Sequence, residues 1–206
     1  KDPMSETAKW DKTFDKDFEG VMDGIFLFSY ALGMLFIGSQ LGDRFDASTV
    51  HSLGLLLMAC IYFIIGASIP LFSLNSKVFF CILWAINGLV QSVGWPTGVK
   101  LMANYFDGAH DGMIFGLWTA CQCTGNIIGS AYDDFVTQHN LAMEWNFWIP
   151  AIQAAVMAVL IYFLVPTYPP GMQQQHAKDI QDDFEEESES KKPKKEGIGL
   201  LAALKL

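Results

Sequence analysis

More than half of this 206-residue chain contains no charged side chain, and that absence governs how the rest is read. Thirteen Lys and Arg stand against 22 Asp and Glu, for a formal net charge of −9. There is therefore no basic surface to meet nucleic-acid phosphates, and nucleic-acid binding is excluded. Cysteine is scarce: Cys60, Cys81, Cys121 and Cys123 all lie in apolar stretches and show neither a disulfide framework nor zinc-ligand spacing. Cys121 and Cys123, two apart, point to different faces of a helix, so all four read as small packing residues. His51, His110, His139 and His176 form no spaced ligand set. No Ser/His/Asp arrangement, phosphate loop or paired acid stands out, so the sequence indicates no enzyme, no cofactor and no metal. A cleavable leader is also lacking. The first apolar run follows an acidic, tryptophan-containing stretch instead of a short basic one, with no small-residue cleavage site after it. No Asn-x-Ser/Thr acceptor and no retention tetrapeptide occur.

What is present is apolar. With 51% hydrophobic and 14% aromatic residues, the chain is too hydrophobic for an ordinary soluble domain of this size, and disorder is a poor fit. The uncharged residues fall into five runs, 24–41, 52–72, 78–99, 112–132 and 145–166, of 18 to 22 residues each. A hydrocarbon layer of roughly 30 Å takes about 20 apolar residues at helical rise. Buried helices of a soluble protein would show a polar stripe at 3.6 spacing, and these do not. The expectation is an all-α, polytopic helical membrane protein with five spanning helices.

The organisation follows from where the charges return. Residues 1–19 form a polar N-terminal tail, residues 20–166 a five-helix transmembrane bundle, and residues 167–206 a linker introduced by Pro169, Pro170 and Gly171. The linker carries an acidic cluster from Asp179 to Glu189 and then Lys191, Lys192, Lys194 and Lys195, a composition that cannot bury enough apolar surface to order itself. Eight Lys and Arg on the linker side against five on the other favour a cytoplasmic linker under the positive-inside tendency. Most helical transporters use even helix counts, so an odd number points to a missing first helix.

Three segments carry chemistry. After the first run, Gly42-Asp43-Arg44 offers an acid and a base at a helix end; such a pair can latch neighbouring helices in one conformation and release them in another, though an ordinary solvated turn reads the same way. In the third run Asn87, Gln91, Gly94, Trp95 and Gly98 share one helical face. Amides at bilayer depth are costly against lipid and favoured against a cavity or another helix, so this face is either a packing seam, a polar path, or both. Pro96 removes a backbone bond and kinks the helix, and Gly94 and Gly98 permit close approach. Lys100, contiguous with this run, either snorkels to the interface or faces a cavity and attracts an anion. The fourth run places Trp118, Gln122, Asn126 and Gly129 on one face beside Gly125. Two amide faces with tryptophans would line a polar path, with Tyr30 of the first run as a weaker member.

At these residues the sequence resembles a known family. NGLVQSVGWPTGVKLMANYF and IFGLWTACQCTGNIIGS look like the fourth and fifth helices of the organophosphate:phosphate antiporter branch of the major facilitator superfamily, nearest the eukaryotic sugar-phosphate exchangers, the relatives of glucose-6-phosphate and glycerol-3-phosphate transporters. LGDRF resembles the signature between helices two and three, and KKEGIGLLAALKL the approach to helix seven. The resemblance implies that the five runs are helices two to six of a twelve-helix transporter. On that footing helix one and the second half are missing, and with them the basic residues that hold phosphate. It further implies exchange of a sugar phosphate or glycerol phosphate for inorganic phosphate by alternating access, with Tyr30, Asn87, Gln91, Trp95, Lys100, Trp118, Gln122 and Asn126 along the path and Asp43 and Arg44 as a gate. The implied partners are the lipid bilayer, organic and inorganic phosphate, and the absent C-terminal helical half, in the endoplasmic reticulum or another endomembrane. The chain departs from the family's usually basic loop between helices four and five, reading Asp107-Gly-Ala-His110-Asp111 there. A dianion needs a cationic clamp that the chain alone lacks, so the 206 residues by themselves are not expected to catalyse exchange. A different reading is a truncated, non-transporting membrane protein that acts through helix–helix contacts.

Overall fold

The computed structural model describes residues 10, 13–72, 74, 76–106, 111–139 and 141–172, apart from the side chains of Ser39, Gly42, Asp43 and Asp111. The readings made above for residues 1–9, for Asp107–His110 and for the linker beyond Met172 lie outside the described residues, as does the side chain of Asp43. The chain divides into two units, Lys1–Thr167 and Tyr168–Leu206. Within the second, the Met172 N–H donates to the Pro169 carbonyl at 2.9 Å.

Among the described residues the first unit contains helices joined by short connections and no strand. Helix α1 (Lys16–Gly33) runs through a π-helical turn (Met34–Gly38) into α2 (Ser39–Arg44), followed by α3 (Ala47–Phe72), α4 (Lys77–Gln91), α5 (Gly94–Tyr105), α6 (Asp111–Gln138) and α7 (Trp145–Leu164). Asp15 starts α1 by accepting the Phe18 N–H at 2.9 Å on its side chain, satisfying one of the donors that a helix start leaves free. Asp46 starts α3 in the same way, accepting the Thr49 N–H at 2.8 Å and the Thr49 hydroxyl at 2.7 Å.

Pro96 acts as its chemistry requires. It has no N–H to reach the carbonyl one turn back, at Ser92, and the helix is interrupted there: α4 ends at Gln91 and α5 begins at Gly94. The interruption is packed against the π turn of the first span. A Cβ on Gly38 would lie 2.8 Å from the Ser92 carbonyl oxygen and 3.2 Å from the Pro96 ring, and a Cβ on Gly33 would overlap the Ser92 side chain. Two irregular stretches on two helices therefore sit at one level.

Four stretches, Lys16–Gly38, Ala47–Phe72, Lys77–Tyr105 and Trp145–Leu164, are long and apolar enough to cross a membrane. The 112–132 run forms the 28-residue α6, whose length suffices; Thr119, Gln122, Asn126 and its glycines make it the least apolar of the five. Polarity is distributed inside out. Asn87, Ser92 and Thr97 are fully buried, while Phe28, Leu35, Phe72, Leu117 and Phe163 are each two-thirds or more exposed. A surface of that kind matches hydrocarbon, not water.

The most extensive contacts are α3 against α7 and α1 against α4. Small residues make the first possible: Ala59, Ala151 and Ala154 form a buried seam, and Gly66 receives the ring of Trp148. Gly88 makes the second possible, since a Cβ there would lie 2.6 Å from the Phe26 carbonyl oxygen. At the end of the bundle where α1 and α4 start, Trp10, Phe18, Met22, Phe80 and Ile65 build an aromatic and aliphatic core. Lys77 closes it, pairing with Asp15 at 2.6 Å and lying 4.8 Å over the Phe18 ring.

Candidate functional site

Two polar groupings arise where the irregular helix pair meets its neighbours. The first centres on the Ser92–Val93 interruption. The Gln91 side-chain amide donates to the Asn87 Oδ1 at 3.0 Å, and the Asn87 amide nitrogen, fully buried, has no partner among the described residues. Gln91 also lines a cavity of about 130 Å³ together with His51, Met58, Val90, Val93 and Gly94. His51 is fixed from behind: its Nδ1 lies 2.9 Å from the Thr97 hydroxyl, which itself donates to the Val93 carbonyl at 2.7 Å. The Thr97 hydroxyl thus bridges the His51 ring and the backbone of the helix interruption.

One turn further, Trp95 stacks on Trp118 with ring centroids 4.3 Å apart. Gly98 permits this pairing, because a Cβ at that position would lie 3.0 Å from the Trp118 ring. The structure thus brings Asn87 and Gln91 together, and Trp95 and Trp118 together. Gln122 and Asn126 continue along α6 from Trp118 and are exposed. Tyr30, half-buried on α1, stacks with Phe26 at 6.0 Å.

The second grouping lies at the bundle end formed by the start of α3 and the close of α5 and α7. Thr167 accepts the Ser48 N–H at 3.0 Å; Asn104 donates to the Thr167 carbonyl at 2.9 Å, and the Tyr105 hydroxyl to the Pro166 carbonyl at 2.6 Å. Asp46 joins them. Partial burial works to raise its pKa, but hydrogen bonds from Thr167 and Thr49 and the nearby charge of Lys100 outweigh that, holding the carboxyl below the usual carboxylate range. Lys100 is therefore placed by the Asp46 end of the bundle. Arg44 is exposed.

Sequence reasoning missed His51, Asp46 and Asn104. His51 sits one residue before an uncharged run and reads as loop. Asp46 carried one available signal, an Asp three residues before Thr49 at the head of an apolar run, which is a capping pattern.

Apolar outer faces, four membrane-length stretches and a buried amide beside a broken helix define a multi-pass helical membrane protein. The comparisons give the particular family. Residues 7–203 match the model of the Major Facilitator Superfamily, and the chain belongs to it. It is 39% identical over 173 residues to sugar phosphate exchanger 3 of Homo sapiens, covering 83% of this chain and 34% of that protein. It is 32% identical to the putative glycerol-3-phosphate transporter 2 of Arabidopsis thaliana, over 75% of this chain and 30% of the relative. It is also 32% identical to the glucose-6-phosphate exchanger SLC37A2 of Mus musculus, over 79% of this chain and 32% of the relative. The chain spans about a third of the length of the curated relatives it matches. No solved structure matches. The family sets the chain among membrane transporters and not among enzymes.

Proposed function

We propose that the polypeptide containing this chain exchanges a sugar phosphate or glycerol phosphate for inorganic phosphate by alternating access, as the names of its relatives suggest for the organic phosphate. The observation that carries the reading is the paired constellation on α4, α5 and α6: two amides joined at 3.0 Å beside two tryptophans stacked at 4.3 Å, at an interrupted helix. Amides can replace part of the water around a polar substrate without adding charge, and indole rings provide flat apolar walls against a sugar face. Tyr30, Gln122 and Asn126 extend the path, and Lys100 bounds it from the Asp46 end.

In this reading Asp46, Lys100, Asn104, Tyr105 and Thr167, with Asp43 and Arg44 nearby in sequence, form the contact that holds this end of the bundle together and is released in the opposite state. The exposed face of α6, where a Cβ on Gly125 or Gly129 would meet nothing within 4 Å, packs against further helices of the same polypeptide, which supply the cationic clamp. The linker is cytoplasmic and the membrane an internal one.

The test is exchange of labelled phosphate against external sugar phosphate in proteoliposomes carrying the full-length polypeptide. Gln91→Leu should lower the exchange rate at least tenfold with normal insertion. Unchanged exchange would assign the amide pair to packing and remove the basis for the path.

A further inference from the structure

The interruption at Ser92–Val93 divides the proposed constellation between two pieces of helix. Asn87 and Gln91 stand on α4, whereas Trp95 stands on α5. In an unbroken helix the backbone itself would fix the angle between an amide and an indole four residues later. Here Pro96 removes the bond to the Ser92 carbonyl, and the two pieces need a fix from outside.

The pieces are held by different neighbours. α4 lies against α1, where Gly88 brings the two backbones together, and α5 lies chiefly against α3. On the α3 side the polar contact beside the interruption is His51. Its Nδ1 lies 2.9 Å from the Thr97 hydroxyl, and the Gly94 backbone makes a further hydrogen bond to the ring. The Thr97 hydroxyl in turn reaches the Val93 carbonyl at 2.7 Å and the Gly94 carbonyl at 3.2 Å. One imidazole therefore grips the first turn of α5 before and after Pro96. Thr97 is fully buried, where a hydrogen bond is costly to lose.

His51 does not act on the amides directly. The ring and Gln91 line the same cavity of about 130 Å³, and among the described residues no hydrogen bond joins them. Gly94 lines it too, and a Cβ there would meet nothing within 4 Å. The space leaves α4 and α5 room to change their angle, and the imidazole takes that freedom away.

We propose that His51 is a positioning residue for the organic substrate, acting through Thr97 to set the amide pair on α4 against the indoles stacked at 4.3 Å on α5 and α6. This rests on the transport reading above. In that reading the amides and indoles meet the sugar while cations elsewhere hold phosphate, so the angle bears on the organic substrate more than on inorganic phosphate.

The experiment compares two reactions of the full-length polypeptide in proteoliposomes: exchange of phosphate against glucose-6-phosphate or glycerol-3-phosphate, and self-exchange of phosphate. His51→Leu, of similar bulk but unable to hydrogen-bond, should raise the KM for the organic phosphate about fivefold more than the KM for self-exchange, the scale of one lost hydrogen bond. Thr97→Val should do the same, and the double variant should be no worse than either single one, because both remove one contact. His51→Asn, whose amide reaches the place of Nδ1, should restore the wild-type ratio of the two KM values. Should His51→Leu not reach the membrane, Thr97→Val, nearly identical in shape, carries the comparison. A residue that only packs would lower both reactions together and leave that ratio unchanged, and this result overturns the inference. Additive losses in the double variant, or an asparagine variant that behaves like leucine, overturn it as well. Gln91→Leu in the same assay separates the two claims. Exchange that falls with Gln91→Leu while the KM ratio ignores His51→Leu removes the positioning role alone; exchange untouched by Gln91→Leu removes both.

Discussion

Asp46 shows how a single residue can serve two purposes. Its carboxylate caps α3 through Thr49, and the same group faces Thr167 and Lys100 from the closing elements of the bundle. A depressed folded-state pKa means that the ionised form is stabilised by folding. The stabilisation is therefore fully present above the unfolded carboxylate pKa of about 3.9, and is lost as pH falls through the lower folded value. Asp46→Ala should destabilise by about 1 kcal/mol at neutral pH, the usual worth of a lost N-cap. The gap between variant and wild type should begin to narrow near pH 4 and close only as the pH falls through the lower folded value, where the wild-type carboxyl takes up its proton in the folded state. Melting curves in detergent from pH 7 down to pH 3 measure it; a gap that persists unchanged at the acid end would mean that the charge on Asp46 contributes nothing.

At the scale of the element, glycine position decides which helices can touch. Gly88 and Gly94 lie six residues apart, on α4 and α5, and have opposite surroundings. A Cβ on Gly88 would lie 2.6 Å from a backbone oxygen of α1 and about 3.0 Å from Ser29 and Tyr30, whereas a Cβ on Gly94 would meet nothing within 4 Å. Backbone cannot move aside as a flexible side chain can. Gly88→Ala should therefore cost about 1 to 3 kcal/mol, the range for overpacking, by prising α1 from α4. Gly94→Ala should be neutral or slightly stabilising, since alanine suits a helix better than glycine. Melting temperatures of the two variants in one detergent compare them directly, and equal losses would contradict the packing described here. The Pro96 interruption belongs to this scale too. Its freed Ser92 carbonyl is covered by Gly38 of the π turn, so two defects that would each weaken a lone helix fit against one another.

For the whole molecule, the apolar exterior is the governing fact. Leu35, Phe72, Leu117 and Phe163, each about seven-tenths exposed or more, would drive aggregation in water and are at ease in lipid. Expressed in cells, the chain should stay with the membrane pellet through alkaline carbonate extraction. Release into the supernatant would remove the basis for every spanning assignment. Much of this scale was legible beforehand, because the absence of charge over bilayer length is a one-dimensional signal. The candidate site was legible in part. Asn87 with Gln91, and Trp95 with Trp118, were nameable from helical spacing and family motif. His51 and Asp46 were not, since a loop-edge histidine and a turn aspartate look alike in sequence whether or not they pack inward.

Sequence by itself determined the helical membrane class, the approximate position of each uncharged run, the break at Pro96 and the family. These depend on local composition, backbone chemistry and the hydrocarbon thickness, none of which requires knowing what touches what. Only the tertiary structure decided which polar groups share a space: Trp95 on Trp118, His51 on Thr97, Lys100 near Asp46, and Asp133 with Asn146. Those pairings join residues up to 54 positions apart on different helices. Helical periodicity gives the face a residue occupies but not the neighbour it meets, and that choice is made by the small residues, the π turn and the kink through which the helices interlock.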